Sequence, residues 1–189
     1  MTLDDNPVLR AAHDFWRGLP APPAGIPDIR QLDAAAIPRD VLPHLIVAEI
    51  TNADFALSRL RLAGAEITRW FRELPEGMDA VAYGSLTTPA YMQHMRDLLA
   101  ELVRHRRPVY CRSLYTLPGL TTGDPPNTVT AERLVLPMAH SSSPGGASAV
   151  GCVMLVETLT ASDFRAGPLR ILPPEPGVDV RHGPFRLPV

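Results

Sequence analysis

Residues 150–156 read Val-Gly-Cys-Val-Met-Leu-Val and are apolar at every position. A strand with one wet face alternates apolar and polar residues, so an unbroken apolar run predicts a strand covered on both faces. A fold built around it needs two covering layers, and the sequence offers two helices. The stronger is predicted over about residues 89–105. Thr88 suits its cap, Pro89 its first position, and Pro108 lies beyond its end. Met92, Met95, Leu99, Leu102 and Val103 form an apolar stripe, with Arg96, Asp97, Glu101 and Arg104 on the other side. The second helix is N-terminal, with Asn6 as cap, Pro7 at the first position and Gly18 closing it. Val8, Leu9, Ala12, Phe15 and Trp16 fall on one broad face. It is expected to cover the second side of the sheet, within the chain or by pairing with a second copy, with Trp16 as anchor.

The other strands follow from β-rich runs bounded by turn residues. Residues 45–51 and 55–63 predict a hairpin across Asn52, Ala53 and Asp54, ending at Gly64. A short helical period follows over residues 65–71, and Pro75 and Gly77 break it. After the long helix come three more strand segments, at 109–117, 130–138 and 147–158, separated by loops rich in glycine and proline. Antiparallel strands interrupted by helices, without regular βα alternation, predict an α+β domain. Its 21 prolines crowd into residues 20–27 and from Pro168 onward. This predicts an N-terminal helix with a stiff connection over 1–27, a domain over 28–160, and a proline-rich tail over 161–189.

Several functions are disfavoured. A net charge of −2 gives no field toward nucleic acid or anionic lipid. The basic run of Arg104, His105, Arg106 and Arg107 ends a helix, where cations complement the dipole. The N-terminus carries Asp4 and Asp5 and lacks a signal-peptide core, and the longest uncharged apolar run, about 147–156, is too short to span a membrane. These features predict a cytoplasmic protein. Cys111 and Cys152 lack metal-ligand spacing and are expected as reduced, buried thiols.

The order of elements, with Phe15-Trp16-Arg17, the 37–43 segment from Ile37-Pro38 to Leu42-Pro43, Leu60-Arg61-Leu62-Ala63-Gly64, and Glu132-Arg133-Leu134-Val135-Leu136-Pro137-Met138, resembles a single-domain bacterial PAS-like family. That family carries "RLxGT" and "ERLxLPL" patterns. The match covers about residues 8–158, with Ala65 where the family commonly has threonine. The resemblance implies a PAS-like five-stranded antiparallel sheet, one long crossing helix and an N-terminal helix. It also implies a sensory or adaptor role without catalytic residues. Some PAS domains bind haem through a histidine on the long helix. His94 is the formal candidate, but its place beside the polar stripe favours a surface histidine.

No catalytic constellation competes with this reading. His94 and His105 lie roughly 16 Å apart along one helix, too far to share a metal. Ser141, Ser142 and Ser143 adjoin His140, but adjacency does not make a triad. No dinucleotide or Walker motif is present. The sequence therefore predicts a non-catalytic sensory or regulatory module that binds a small apolar ligand, a protein partner or a second copy of itself, and names no cofactor. Its ligand site is expected between sheet and long helix, walled by Leu60, Leu62, Trp70, Met95, Leu99, Leu136 and Met154. The alternative is a small α+β enzyme or carrier of ketosteroid-isomerase type, whose cone-shaped apolar cavity needs a buried carboxylate as general base.

Overall fold

The computed structural model describes residues 5–21, 25–51, 56–70, 89–117, 127–140, 150–161 and 170–171. Helix α1 spans Pro7–Gly18. Asn6 Oδ1 accepts from the Leu9 amide at 3.2 Å, as its capping position predicts. Three short 3-10 turns follow, at Ile29–Gln31, Ala34–Ala36 and Leu42–His44. Asp28 and Asp33 cap the first two by accepting backbone amides at 2.9 Å. Strands β1 (Leu45–Thr51) and β2 (Ala56–Ala63) form the expected hairpin, and α2 follows at Ala65–Trp70. The long helix α3 spans Pro89–His105. Strands β3 (Val109–Leu117), β4 (Asn127–Ala139) and β5 (Val150–Ala161) complete the meander. A two-residue strand β6, Arg170–Ile171, adds to β3 from the segment predicted as tail.

All strands pair antiparallel in one open sheet, in the order β2-β1-β5-β4-β3-β6. The apolar strand β5 therefore sits between β1 and β4, with neighbours on both edges and a layer over each face. On one face α3 packs Met95, Leu98, Leu99 and Leu102 against Ile46, Ala48, Leu60, Val109, Val135, Val153 and Leu155. On the other, α1 packs Leu9 and Ala12, with half-buried Val8, Phe15 and Trp16, over Leu45, Val47, Leu134, Leu136, Met138, Met154 and Val156. The second layer is thus supplied by the chain's own N-terminal helix.

Three interruptions of the strand period matter for the site. Val47 pairs with Leu62 and Ala48 with Leu60, leaving Arg61 as the extra residue of a β-bulge. Ser58 is skipped in the same way between the Glu49–Arg59 and Ile50–Leu57 pairs, and Gly151 between Met138–Cys152 and Ala139–Val150. Each bulge reverses which face the following side chains occupy.

The four segments that carry the family resemblance meet in pairs. The Trp16 indole donates to the Pro137 carbonyl at 2.9 Å, joining the first motif to the last. Asn6 Nδ2 donates to Glu132 Oε2 at 2.7 Å and to Thr158 Oγ1 at 2.8 Å. Gly64 closes the second pair. Its amide donates to Leu45 O at 2.8 Å, and a Cβ there would overlap the carbonyl oxygens of Leu42 and Pro43. Only glycine permits that backbone approach.

Candidate functional site: a polar cluster beneath the long helix

Four polar or titratable side chains are sealed between α3 and the sheet. Arg133 on β4 and Glu157 on β5 are opposite in register, and their side chains are 0% and 1% exposed. Arg133 Nη2 donates to Glu157 Oε1 at 2.6 Å, and Nη1 donates to Met95 Sδ of α3 at 3.6 Å. Cys111 on β3 pairs in register with Arg133, so it projects from the same face. Its Sγ lies 3.8 Å from Nε2 of His94, which is 2% exposed on α3. Each of the three adjacent strands β5, β4 and β3 thus contributes one polar group to a shared row, and α3 adds the fourth.

The protonation states follow from that burial. Loss of water, then the nearby Arg133 guanidinium, drives the His94 pKa down to about 3, so the imidazole is neutral. Burial pushes the Cys111 thiol up to about 11, holding it as the neutral thiol. The charges of Arg133 and Glu157 cancel across their short contact. The row therefore holds one ion pair at its β5–β4 end and two neutral groups at its β3 end. Such a pair is worth little as a stabiliser, because an apolar pair of similar volume is often at least as stable.

A second polar group lies on the α1 face. Arg112 Nε approaches Glu132 Oε1 at 3.4 Å, and Glu132 also accepts from Asn6. This group fixes the start of α1 over the sheet.

The predicted site residues separate. Leu60, Met95 and Leu99 share the α3 face, as expected. Leu136 and Met154 lie on the α1 face, because the strand period placed the other parity of β4 and β5 toward α3. Leu62 joins them there, because the bulge at Arg61 separates it from Leu60. Trp70 ends α2, and its side chain lies outside the described residues. The residues that do face Met95 and Leu99 from the sheet include Val135, Val153 and Leu155.

His94 is a further correction. It falls four and eight residues before Leu98 and Leu102, both fully buried, so it belongs to the apolar face of α3. The expected stripe of Met92, Met95, Leu99, Leu102 and Val103 is rotated toward 94 and 98. Val103 is only half-buried, and the Met92 side chain lies outside the described residues. Arg133 and Glu157 were missed altogether. The signal was a charge at the edge of an apolar run in each strand, Arg133 before Leu134 and Glu157 after Val156, but their register was needed to pair them. Ser141, Ser142 and Ser143 also lie outside the described residues.

Cys111 and Cys152 are buried free thiols, as expected. Among the described residues, no group of three or more His, Cys, Asp or Glu is placed to hold a metal, and no helix is long and apolar enough to cross a membrane. The chain matches no family model, no curated protein and no solved structure.

Proposed function

We propose that this chain is a non-catalytic regulatory or sensory module of PAS type, acting through a small-molecule ligand, a protein partner or both. The arrangement of α3 across the antiparallel sheet carries the reading. It follows two hairpin strands and a short helix, precedes a three-stranded meander, and holds a polar cluster in an apolar interface. This is the element order that the motif resemblance implies. The cluster supports binding rather than turnover. Its imidazole and thiol are neutral and sealed from water. Glu157 is the buried carboxylate that an isomerase-like site requires, but it is engaged by a guanidinium at 2.6 Å and so acts as an ion-pair partner. Leu60, Met95 and Leu99 remain walls of the proposed site, joined by Val135 and Leu155. Leu62, Leu136 and Met154 belong to the seat of α1.

Native mass spectrometry of freshly purified protein tests the reading. A bound small molecule, or a defined complex with a partner or second copy, is the expected result. A bare monomer that captures neither ligand nor partner would remove it. Met95→Trp localises the site: loss of the bound molecule with little loss of stability places it at α3.

A further inference from the structure

Cys111 and His94 stand 17 residues apart in the chain, and the packing of α3 on β3 brings Sγ to 3.8 Å from Nε2. Both residues lie in the interior, 1% and 2% exposed. Metal–thiolate and metal–imidazole bonds measure about 2.3 and 2.0 Å, so two donors 3.8 Å apart span a bent bridge of roughly 125° without either moving. The setting is soft and apolar. Cys111 belongs to the cluster of Leu98, Leu99, Val109 and Val135, and the Met95 thioether lies on the same side of the sheet.

We propose that His94 Nε2 and Cys111 Sγ form a binding site for a soft monovalent cation of the copper(I) class. The ion enters between the two atoms as the thiol proton leaves, giving a sulfur–metal–nitrogen bridge with the ring hydrogen on Nδ1. Charge balance selects the valence. A thiolate with a monovalent cation is as neutral as the thiol it replaces, whereas a divalent ion would add a buried charge near the Arg133 guanidinium. Donor chemistry selects the element, because thiolate sulfur favours copper(I) and hard cations favour oxygen. A structural zinc ion wants four ligands, and among the described residues no third His, Cys, Asp or Glu joins the pair. Burial, then the charge of Arg133, keeps the imidazole neutral down to about pH 3, so it offers a lone pair without first losing a charge. Burial also pushes the thiol up to about 11, so binding releases one proton and tightens as pH rises. The inference goes beyond the sensory reading and does not depend on its apolar ligand.

Silver(I) is the probe, because it is soft, monovalent and keeps its oxidation state in air. The full chain is incubated with it long enough for the sealed site to open, and binding is read by native mass spectrometry with zinc(II) as competitor. One silver ion per folded chain is expected, undisplaced by equimolar zinc. Its apparent affinity should rise about ten-fold per pH unit near neutrality as the one thiol proton is released. Cys152→Ser should bind as the parent does, because that thiol lies on the α1 face of the sheet. Cys111→Ser and His94→Gln should each lose at least about ten-fold in affinity. Undiminished binding by Cys111→Ser, a loss in Cys152→Ser, or zinc held as tightly as silver would each overturn the proposal. So would silver taken up only as the helical circular dichroism is lost, which is thiol capture by the unfolded chain. If a variant does not fold, the parent protein decides: the ring nitrogen resonances of His94 should move on adding silver, and unchanged resonances refute the site. A chain that ignores silver yet carries an organic molecule in native mass spectra would sink this assignment alone and leave the sensory reading standing.

Discussion

His94 gives the sharpest test of the buried cluster, because its burial makes stability depend on pH in a calculable way. Its pKa is about 3 in the folded chain against 6.5 for the free side chain. Near it are Cys111 from β3, whose Sγ lies 3.8 Å from the ring Nε2, and Arg133 from β4, whose charge acts on the ring. A folded-state pKa below the unfolded value means that the unfolded chain binds the proton first. The stabilising contribution is therefore complete above the unfolded pKa and is lost as pH falls from 6.5 toward 3. The slope approaches about 1.4 kcal/mol per pH unit in that window, and the loss between pH 7 and pH 5 comes to about 2 kcal/mol. That is a large share of a small domain's margin. His94→Gln keeps a neutral polar side chain and removes the titration. Urea unfolding of both proteins at pH 7, 6 and 5 measures the effect. The gap between them should shift by about 2 kcal/mol in favour of the variant at the lowest pH. Other histidines contribute equally to both chains and cancel in that difference. A difference that stays flat with pH would mean that His94 is solvated in the folded protein, and the buried cluster would have to be abandoned.

Further expectations concern the joints of the fold. Gly64→Ala should destabilise by about 1–3 kcal/mol, because the added methyl meets the Leu42 and Pro43 carbonyls. An unchanged urea midpoint would refute that close approach. Trp16→Phe retains the ring and deletes the hydrogen bond to Pro137 O, and should cost about 1 kcal/mol. Trp16→Ala should cost about 2–3 kcal/mol, and a smaller loss for alanine than for phenylalanine would contradict the seating of α1. Arg106 has φ 53° just past α3, so Arg106→Gly should raise stability by up to about 1 kcal/mol, and a decrease would refute the strain. Arg133→Met alone should lower the stability measured by urea unfolding by about 3–5 kcal/mol by breaking the buried pair with Glu157, whereas the paired Arg133→Met with Glu157→Leu should stay near the parent protein, and equal losses in both would refute the pair.

Much of the architecture was legible in the sequence, because it rests on local chemistry. Asn6, Pro7 and Gly18 fixed the limits of α1 from capping and backbone preference alone, and Pro89 and Pro108 did so for α3. The unbroken apolar run of β5 required two covering layers, and the amphipathic helices were the available material. The composition of the site was a different matter. Alternation along a strand states which residues share a face but not which helix that face meets. Leu136 and Met154 were therefore assigned to the wrong layer, and Val135 and Leu155 hold the place beneath α3. A single extra residue at Arg61 divided Leu60 from Leu62, and no local preference in the sequence marks that bulge.

The polar row shows the same division most clearly. The sequence determined that Cys111, Arg133 and Glu157 lie in strands and that His94 lies on the long helix. Their meeting was decided by the registers of β3 on β4 and β4 on β5, set by pairing across 22 and 24 residues of chain in Cys111–Arg133 and Arg133–Glu157. Burial then changed the chemistry of each group, because removing water penalises charge on any group without a counter-charge. Arg133 and Glu157 meet as an ion pair, while His94 and Cys111 are held neutral. Residue types and helix ends are properties of neighbours in sequence, whereas charge state and contact belong to neighbours in space, and only the packed sheet supplies those.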